Sequence, residues 1–347
     1  MTDLSVRPSP APTPSGSAAH LLEVRDLFME FRTQDGVAKV INGVSYHLDA
    51  GETLAVLGES GSGKSVTAQA IMGILDMPPA VIRSGQILYQ GRDLLALPEE
   101  QRRQIRGKEI SMIFQDALSA LNPVFPVGWQ ISETLRRREG LSKADARKRA
   151  IELMNLVKIP AAAQRVGDYP HQFSGGMRQR VMIAMALAMN PKVLIADEPT
   201  TALDVTVQAQ IMDLLAELRR DLNMAMILIT HDLGVVADVA DRIAVMYAGR
   251  IVEHADVHAL YAAPAHPYTK GLLQSIPRVD QRGQDLATIK GLPPNLMRIP
   301  SGCPFHPRCP YAKQVCVDVV PSNLVLGDGR TSACHFAQEV RDGRIDR

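Results

Sequence analysis

Gly58-Glu59-Ser60-Gly61-Ser62-Gly63-Lys64-Ser65 satisfies the pattern G-x-x-x-x-G-K-[ST], and its flanks are the ones the pattern requires. Thr53 to Leu57 before it reads as a short buried strand. Val66 to Leu75 after it reads as a helix with no Pro and a single Gly. A strand, a Gly-rich loop and a helix start together aim backbone N–H groups and a positive dipole end at one point, which suits a phosphate chain. Lys64 is expected to reach the outer phosphates, and the Ser65 hydroxyl to ligate Mg²⁺. The alternative, a Gly-rich turn with a chance lysine, does not explain both flanks.

Two further apolar strands converge on the same idea. Val193-Leu194-Ile195-Ala196 delivers the adjacent carboxylates Asp197 and Glu198 at its carboxyl end, where open α/β sheets place their ligands. Asp197 suits the Mg²⁺ shell and Glu198 suits general-base work on a water. Side by side, the two acids repel unless a cation is near; alone they also read as two solvated acids in a turn. Met226 to Thr230 is a third buried strand, ending at His231. Phe173-Ser174-Gly175-Gly176 opens an Ala- and Met-rich helix, a second anion cradle that is weak when taken alone.

The rest of the chain bounds the answer. It has 347 residues, 46% of them hydrophobic, enough for one large domain and an appendage. A formal net charge of +1 gives no global basic field for nucleic acid. The longest apolar run, Val181 to Met189, is too short to span a bilayer, so membrane contact is expected only through partners. Residues 1–20, rich in Pro, Ser and Ala, read as a disordered tail without signal-peptide character. Leu22 to Leu27 and Val44 to Leu48 alternate as half-buried antiparallel strands around a turn at Gln34-Asp35-Gly36. Phe31 lies on that sheet and either stacks on an adenine ring or packs in the core. Gln86 to Tyr89 and Ile110 to Phe114 are further strands. From about Asp116 to Asp168 the pattern is mostly helical, with Ser142 as an N-cap and Trp129 as a packing residue.

Ser174-Gly175-Gly176 downstream of the phosphate loop, followed by Asp197-Glu198, Ala202-Leu203-Asp204 and His231, resembles the ATP-binding cassette (ABC) ATPase family. The resemblance covers roughly Leu21 to Tyr261. It implies an α/β fold with a P-loop core, an antiparallel β subdomain and a helical signature subdomain at about residues 116–180. It implies ATP held by Gly58, Ser60, Gly61, Gly63, Lys64, Ser65 and Val66, with Phe31 at the position of the adenine-stacking aromatic. Gln115 matches the glutamine that senses Mg²⁺, His231 the switch histidine and Asp204 the D-loop aspartate. Two cassettes are then expected head to tail, Ser174, Gly175, Gly176 and Asp204 of one serving ATP on the other. Phe173 and Met177 depart from the family's signature but leave the phosphate-contacting Ser and Gly in place.

Gln115-Asp116, Ser119 to Pro123, Tyr169-Pro170-His171, the run Phe173 to Ala188 and the run Asp197 to Gln210 resemble the dipeptide and oligopeptide importer ATPases. This narrower likeness implies a second, non-identical ATPase, two permeases and an extracytoplasmic substrate-binding protein, with this chain the first ATPase of the pair at the cytoplasmic face of the membrane. Peptides are the expected cargo; a nickel chelate, a sugar or another small solute is the alternative. A soluble ABC ATPase acting on nucleic acid or the ribosome is disfavoured, because only about 130 residues separate the two nucleotide motifs and one cassette is present.

The nucleotide-binding domain is expected over residues 21–262, and residues 263–347 resemble the tail domain of peptide importers. All four cysteines, Cys303, Cys309, Cys316 and Cys334, fall there with x5, x6 and x17 spacings. In a reducing compartment that clustering points to metal before disulfides. Structural zinc usually shows C-x2–4-C pairs, absent here. Four thiolates at wider spacing suit a [4Fe-4S] cluster better, with Zn²⁺ the alternative and four inert thiols the remaining reading. His306 and His335 are read as structural.

Overall fold

The computed structural model describes residues 20–116, 120–201, 203–276, 288–327 and 329–345. The expected N-terminal tail therefore lies, except for His20, outside the described residues.

Among the described residues twelve strands, numbered in chain order, form two sheets. The first is antiparallel, in the order β2-β1-β4-β5, from β1 (Leu22–Thr33), β2 (Gly36–Leu48), β4 (Ala80–Tyr89) and β5 (Arg92–Asp93). Its hairpin turns where Gln34-Asp35-Gly36 predicts, with Thr33 opposite Gly36. The second has eight strands in the order β11-β12-β10-β9-β3-β8-β7-β6. β3 (Thr53–Leu57), β6 (Ile110–Ile113), β7 (Val193–Asp197), β8 (Ala225–Thr230) and β9 (Arg242–Tyr247) run parallel. β10 (Arg250–Asp256), β11 (Leu324–Val325) and β12 (Thr331–Ser332) extend the sheet antiparallel.

The parallel strands are buried on both faces, which is why they read as unbroken apolar runs. Successive side chains still part company. Leu54 and Val56 pack towards the antiparallel sheet, with Ile195, Ile227 and Ile229. Ala55 and Leu57 pack towards the helices, with Leu194, Ala196 and Leu228. Each fully buried Leu or Ile contributes about 1.5–3 kcal/mol, so one strand belongs to two cores and cannot slip by a residue without losing both.

Between β6 and β7 lie the helices Val127–Glu139, Lys143–Leu156 and Gly175–Ala186, joined by Leu135, Ala150, Leu153 and Val181 in one apolar core. Ser142 caps Lys143–Leu156 by accepting from the Asp145 N–H at 3.2 Å, as its position predicts. Two expectations need correction. The helix after the phosphate loop is Lys64–Met72, not Val66 to Leu75. Gly73 takes the left-handed conformation (φ 62°) that closes a helix. Trp129 is not a core packing residue: it is 39% exposed and stacks on Phe125 at 4.2 Å.

Candidate functional site

The strand tips of β3, β8 and β7 are neighbours in the sheet, so whatever follows Leu57, Thr230 and Ala196 is held on one edge. After Leu57 the chain turns through the glycines. Gly58 has φ 149°, and a Cβ there would stand 2.2 Å from the Met246 carbonyl oxygen. Gly63 has φ 103°, and a Cβ there would meet the Val40 carbonyl at 2.8 Å. The loop is thus shaped by close backbone approach on both sides, a backbone path that suits binding of an anion.

Lys64 is 5% exposed, and its Nζ donates to the Gly58 carbonyl at 2.7 Å and the Glu59 carbonyl at 3.1 Å. Burial pushes its pKa down, while Glu198, Asp197 and Glu59 pull it back up. Ser65 Oγ donates to Asp197 Oδ1 at 2.8 Å across the sheet. Burial raises the Asp197 pKa; the Ser65 bond opposes this and the Glu198 charge adds to it. A buried acid held unpaired beside a second acid is the donor set that a hard divalent cation completes, and Ser65 lies on it. The residues present therefore fit both a phosphate chain and Mg²⁺.

Glu198 follows β7 with φ 45°, its N–H donating to the Ile229 carbonyl at 2.8 Å, a strained turn that aims the side chain across the strand tips. Its Oε2 accepts from Gln115 Nε2 at 3.0 Å and from Thr201 Oγ1 at 3.0 Å, and His231 Nδ1 stands 3.5 Å away. Gln115, Asp197, Glu198 and His231, read from separate stretches, are brought together here. Thr201 was not foreseen: a hydroxyl three residues after an acid has no signature without the turn that returns it.

The second anion cradle forms a group of its own. Ser174 caps the helix Gly175–Ala186, its Oγ accepting from the Met177 N–H at 3.4 Å. A Cβ on Gly176 would lie 2.6 Å from Val207 Cγ1, and one on Gly175 would touch Leu203. Asp204 caps the helix Val205–Asp221 by accepting from the Val207 N–H at 3.0 Å. Ser174, Gly175, Gly176 and Asp204 thus adjoin one another, and among the described residues no hydrogen bond ties them to Lys64 or Glu198. Phe31 is half-buried against the core of the antiparallel sheet, opposite Ala38 and Ala80.

The four cysteines come from a loop, the residue after the one-turn helix His306–Arg308, the helix Gln314–Asp318 and the segment after β12, and all four line one cavity with His306 and His335. Burial raises all the shifted thiols, Cys309 to about 11 and Cys334 to about 12, so they are neutral unless a metal draws the protons off. Both histidines are satisfied by backbone, His306 Nδ1 at 3.0 Å from the Cys303 carbonyl and His335 Nε2 at 2.9 Å from the Val319 carbonyl. Among the described residues, His20, His47 and Asp49 alone bring three metal-ligating atoms within 4.8 Å of one another. No three of the four sulfurs therefore lie that close.

Residues 41–201 match the ABC transporter family model, and residues 252–316 match the model for the oligopeptide/dipeptide transporter C-terminal region. The chain is 54% identical to an oligopeptide transport ATP-binding protein of Bacillus subtilis, over 89% of this chain and 86% of that one. It is 51% identical to the oligopeptide transport ATP-binding protein of Salmonella typhimurium, over 95% and 97%. A solved dimeric bacterial ABC transporter cassette, 26% identical, superposes with a TM-score of 0.61 over 68% of this chain and 98% of that chain. With the strand-tip site, the Ser-Gly-Gly helix start and these likenesses in agreement, the chain belongs to the ABC transporter ATPases, in the group that carries the oligopeptide/dipeptide C-terminal region.

Proposed function

We propose that this chain is the ATP-hydrolysing subunit that powers uptake of dipeptides or oligopeptides through membrane permeases. The observation that carries the reading is the meeting of Gln115, Thr201 and His231 on Glu198, next to the Ser65–Asp197 pair that links this strand tip to the phosphate loop. Gly58, Ser60, Gly61, Gly63, Lys64, Ser65 and Val66 hold the phosphates, with Phe31 beside the base. Ser65, Asp197 and Gln115 hold Mg²⁺, which screens the phosphate charge. Glu198 takes the proton of the attacking water, oriented with the help of His231. The cargo reading rests on the relatives, whose names state oligopeptide or dipeptide transport.

In the same proposal a second, non-identical ATPase completes the motor, with this chain the first of the two. Ser174, Gly175, Gly176 and Asp204, which form an uncommitted cradle in this chain, serve ATP on the partner. Phe114, Val124, Phe125 and Trp129 are large exposed apolar residues following β6 and leading into the helix Val127–Glu139. Such a patch suits burial against a permease, which would hold the motor at the cytoplasmic face of the membrane beside an extracytoplasmic binding protein's complex. The nucleotide-binding domain is assigned to residues 21–262 and the tail domain to 263–347.

The tail reading is a [4Fe-4S] cluster on Cys303, Cys309, Cys316 and Cys334. Sulfurs around one zinc, with bonds of about 2.3 Å, stand roughly 3.8 Å apart. The wider spacing here favours a multi-iron centre over Zn²⁺. The reconstituted complex tests the whole reading. ATP hydrolysis stimulated by peptide-loaded binding protein supports it; stimulation by a nickel chelate or a sugar alone replaces the cargo. Hydrolysis indifferent to the permeases removes the transport reading.

A further inference from the structure

The tail touches the phosphate loop directly, and among the described residues its hydrogen bonds to the loop fall on Glu59. The Glu59 N–H donates to the Tyr268 hydroxyl at 2.8 Å. Its carboxylate accepts from Arg308 Nη1 at 2.6 Å and Arg308 Nη2 at 2.9 Å, a two-pronged pair. Its carbonyl accepts from the Ser62 N–H at 3.2 Å and from Lys64 Nζ at 3.1 Å. Tyr268 lies on the helix Pro267–Gln274, and Arg308 ends the one-turn helix His306–Arg308, next to Cys309. Arg308 is itself immobilised: its side chain is 5% exposed, Nε donates to the Lys290 carbonyl at 3.1 Å, and the guanidinium lies over the Tyr247 ring at 5.8 Å.

We propose that Arg308, seconded by Tyr268, is a positioning residue for the phosphate loop, making the tail part of the ATP site. It rests on the ATP reading above. The physical reason is what happens to Glu59 in use. Lys64 Nζ donates to the Gly58 and Glu59 carbonyls. Once Lys64 turns to phosphate, the Glu59 peptide loses that support and keeps the Ser62 contact and the two tail contacts. A bidentate guanidinium–carboxylate pair fixes direction as well as distance, so it holds the loop open at the width that the phosphates need. Neither Arg308 nor Tyr268 touches the reacting atoms in this arrangement. Their contribution is to affinity.

The test uses the full chain and direct binding of Mg-ATP by calorimetry, with steady-state hydrolysis in the assembled complex beside it. Arg308→Ala is expected to weaken ATP by about tenfold, to raise KM in proportion and to leave kcat within about twofold. Glu59→Gln is expected to do the same. The double variant should lose no more than either single one, and the exchange Glu59→Arg with Arg308→Glu should recover most of the affinity. A general loosening of the fold would produce neither the non-additivity nor the recovery. Should Arg308→Ala fail to fold, Glu59→Gln and Arg308→Lys carry the same comparison, since lysine keeps the charge and loses the second prong. Affinities of the single variants within twofold of the unsubstituted chain, or losses that simply add in the double variant, overturn the proposal and leave the ATP reading standing. An unsubstituted chain that binds no ATP overturns both.

Discussion

Lys64 is held by carbonyls of its own loop and Ser65, Asp197 and Glu198 by partners across neighbouring strand tips, whereas the four cysteines reach their cavity from loops and short helices. The first arrangement is knit by hydrogen bonds within the site. Its groups bond one another, and the parallel strands beneath them are buried on both faces. The second has four thiols lining one cavity, the pKa values of Cys303, Cys309 and Cys334 raised by burial, and a small apolar cluster in which Cys334 joins Ala265, Leu326, Ala337 and Val340. In the proposed metal reading, that cavity would gain stability from the bound metal, as small metal-folded domains do. Ligand binding at the strand tips serves turnover; ligand binding in the tail serves the fold. Where the two regions meet, at Glu59 and Arg308, the second contributes to the first.

The largest test of this contrast is Glu198→Gln. Turnover is expected to fall by ~10²–10⁴-fold while ATP binding persists, because the amide keeps the shape of the site and loses the base. Single-turnover hydrolysis measures it, and a rate near that of the unsubstituted chain would move the base elsewhere. Lys64→Ala comes next. ATP affinity should drop by roughly 10–100-fold, the span of hydrogen bonds to a charged group. Because burial already disfavours the Lys64 charge, thermal unfolding should shift little. A large loss of stability would show that Lys64 supports the empty loop as well.

Cys334→Ser addresses the other region. Protein prepared without oxygen should lose its broad absorbance near ~400 nm and its complement of about four irons. The tail should become sensitive to protease, and ATP affinity should fall by up to about tenfold as the Arg308–Glu59 pair loosens, while hydrolysis at saturating ATP persists because β3, β7 and β8 are untouched. One zinc per unsubstituted chain, with no colour, would replace iron–sulfur, and four freely titrating thiols without metal would end the metal reading. Trp129→Ala is the smallest. The exposed stack on Phe125 carries under about 1 kcal/mol of stability, so folding and intrinsic ATP binding should hold. Stimulation by the permeases should be lost; stimulation at full strength would place their contact on another surface.

The chain's order of residues was enough for the strand-tip site apart from Thr201. Each of Gly58 to Ser65, Asp197-Glu198 and His231 follows an unbroken apolar stretch, and a parallel strand buried on both faces has no other appearance. The hairpin at Gln34-Asp35-Gly36 and the Ser142 cap were legible for a similar reason: the residue type and the local geometry determine one another. Trp129 was misread because large apolar side chains usually face inward, and nothing in its neighbours says that the face is left open. Helix length after the phosphate loop turned on whether Gly73 is tolerated or terminal, a choice settled by its left-handed φ.

What only the tertiary structure decided lies between residues far apart in the chain. Thr201 and Gln115 share one carboxylate oxygen because β6 and β7 are adjacent. The cysteine spacings x5, x6 and x17 suggest a metal, but the shared cavity and the separation of the sulfurs come from how loops close over β12. Arg308 stands 249 residues from Glu59, and an arginine between Pro307 and Cys309 carries no sign of the phosphate loop it grips. Patterns local to a strand or a turn are written in residue types, since backbone geometry selects them directly. Contacts between distant segments depend on sheet order and domain packing, which no short stretch of residues encodes.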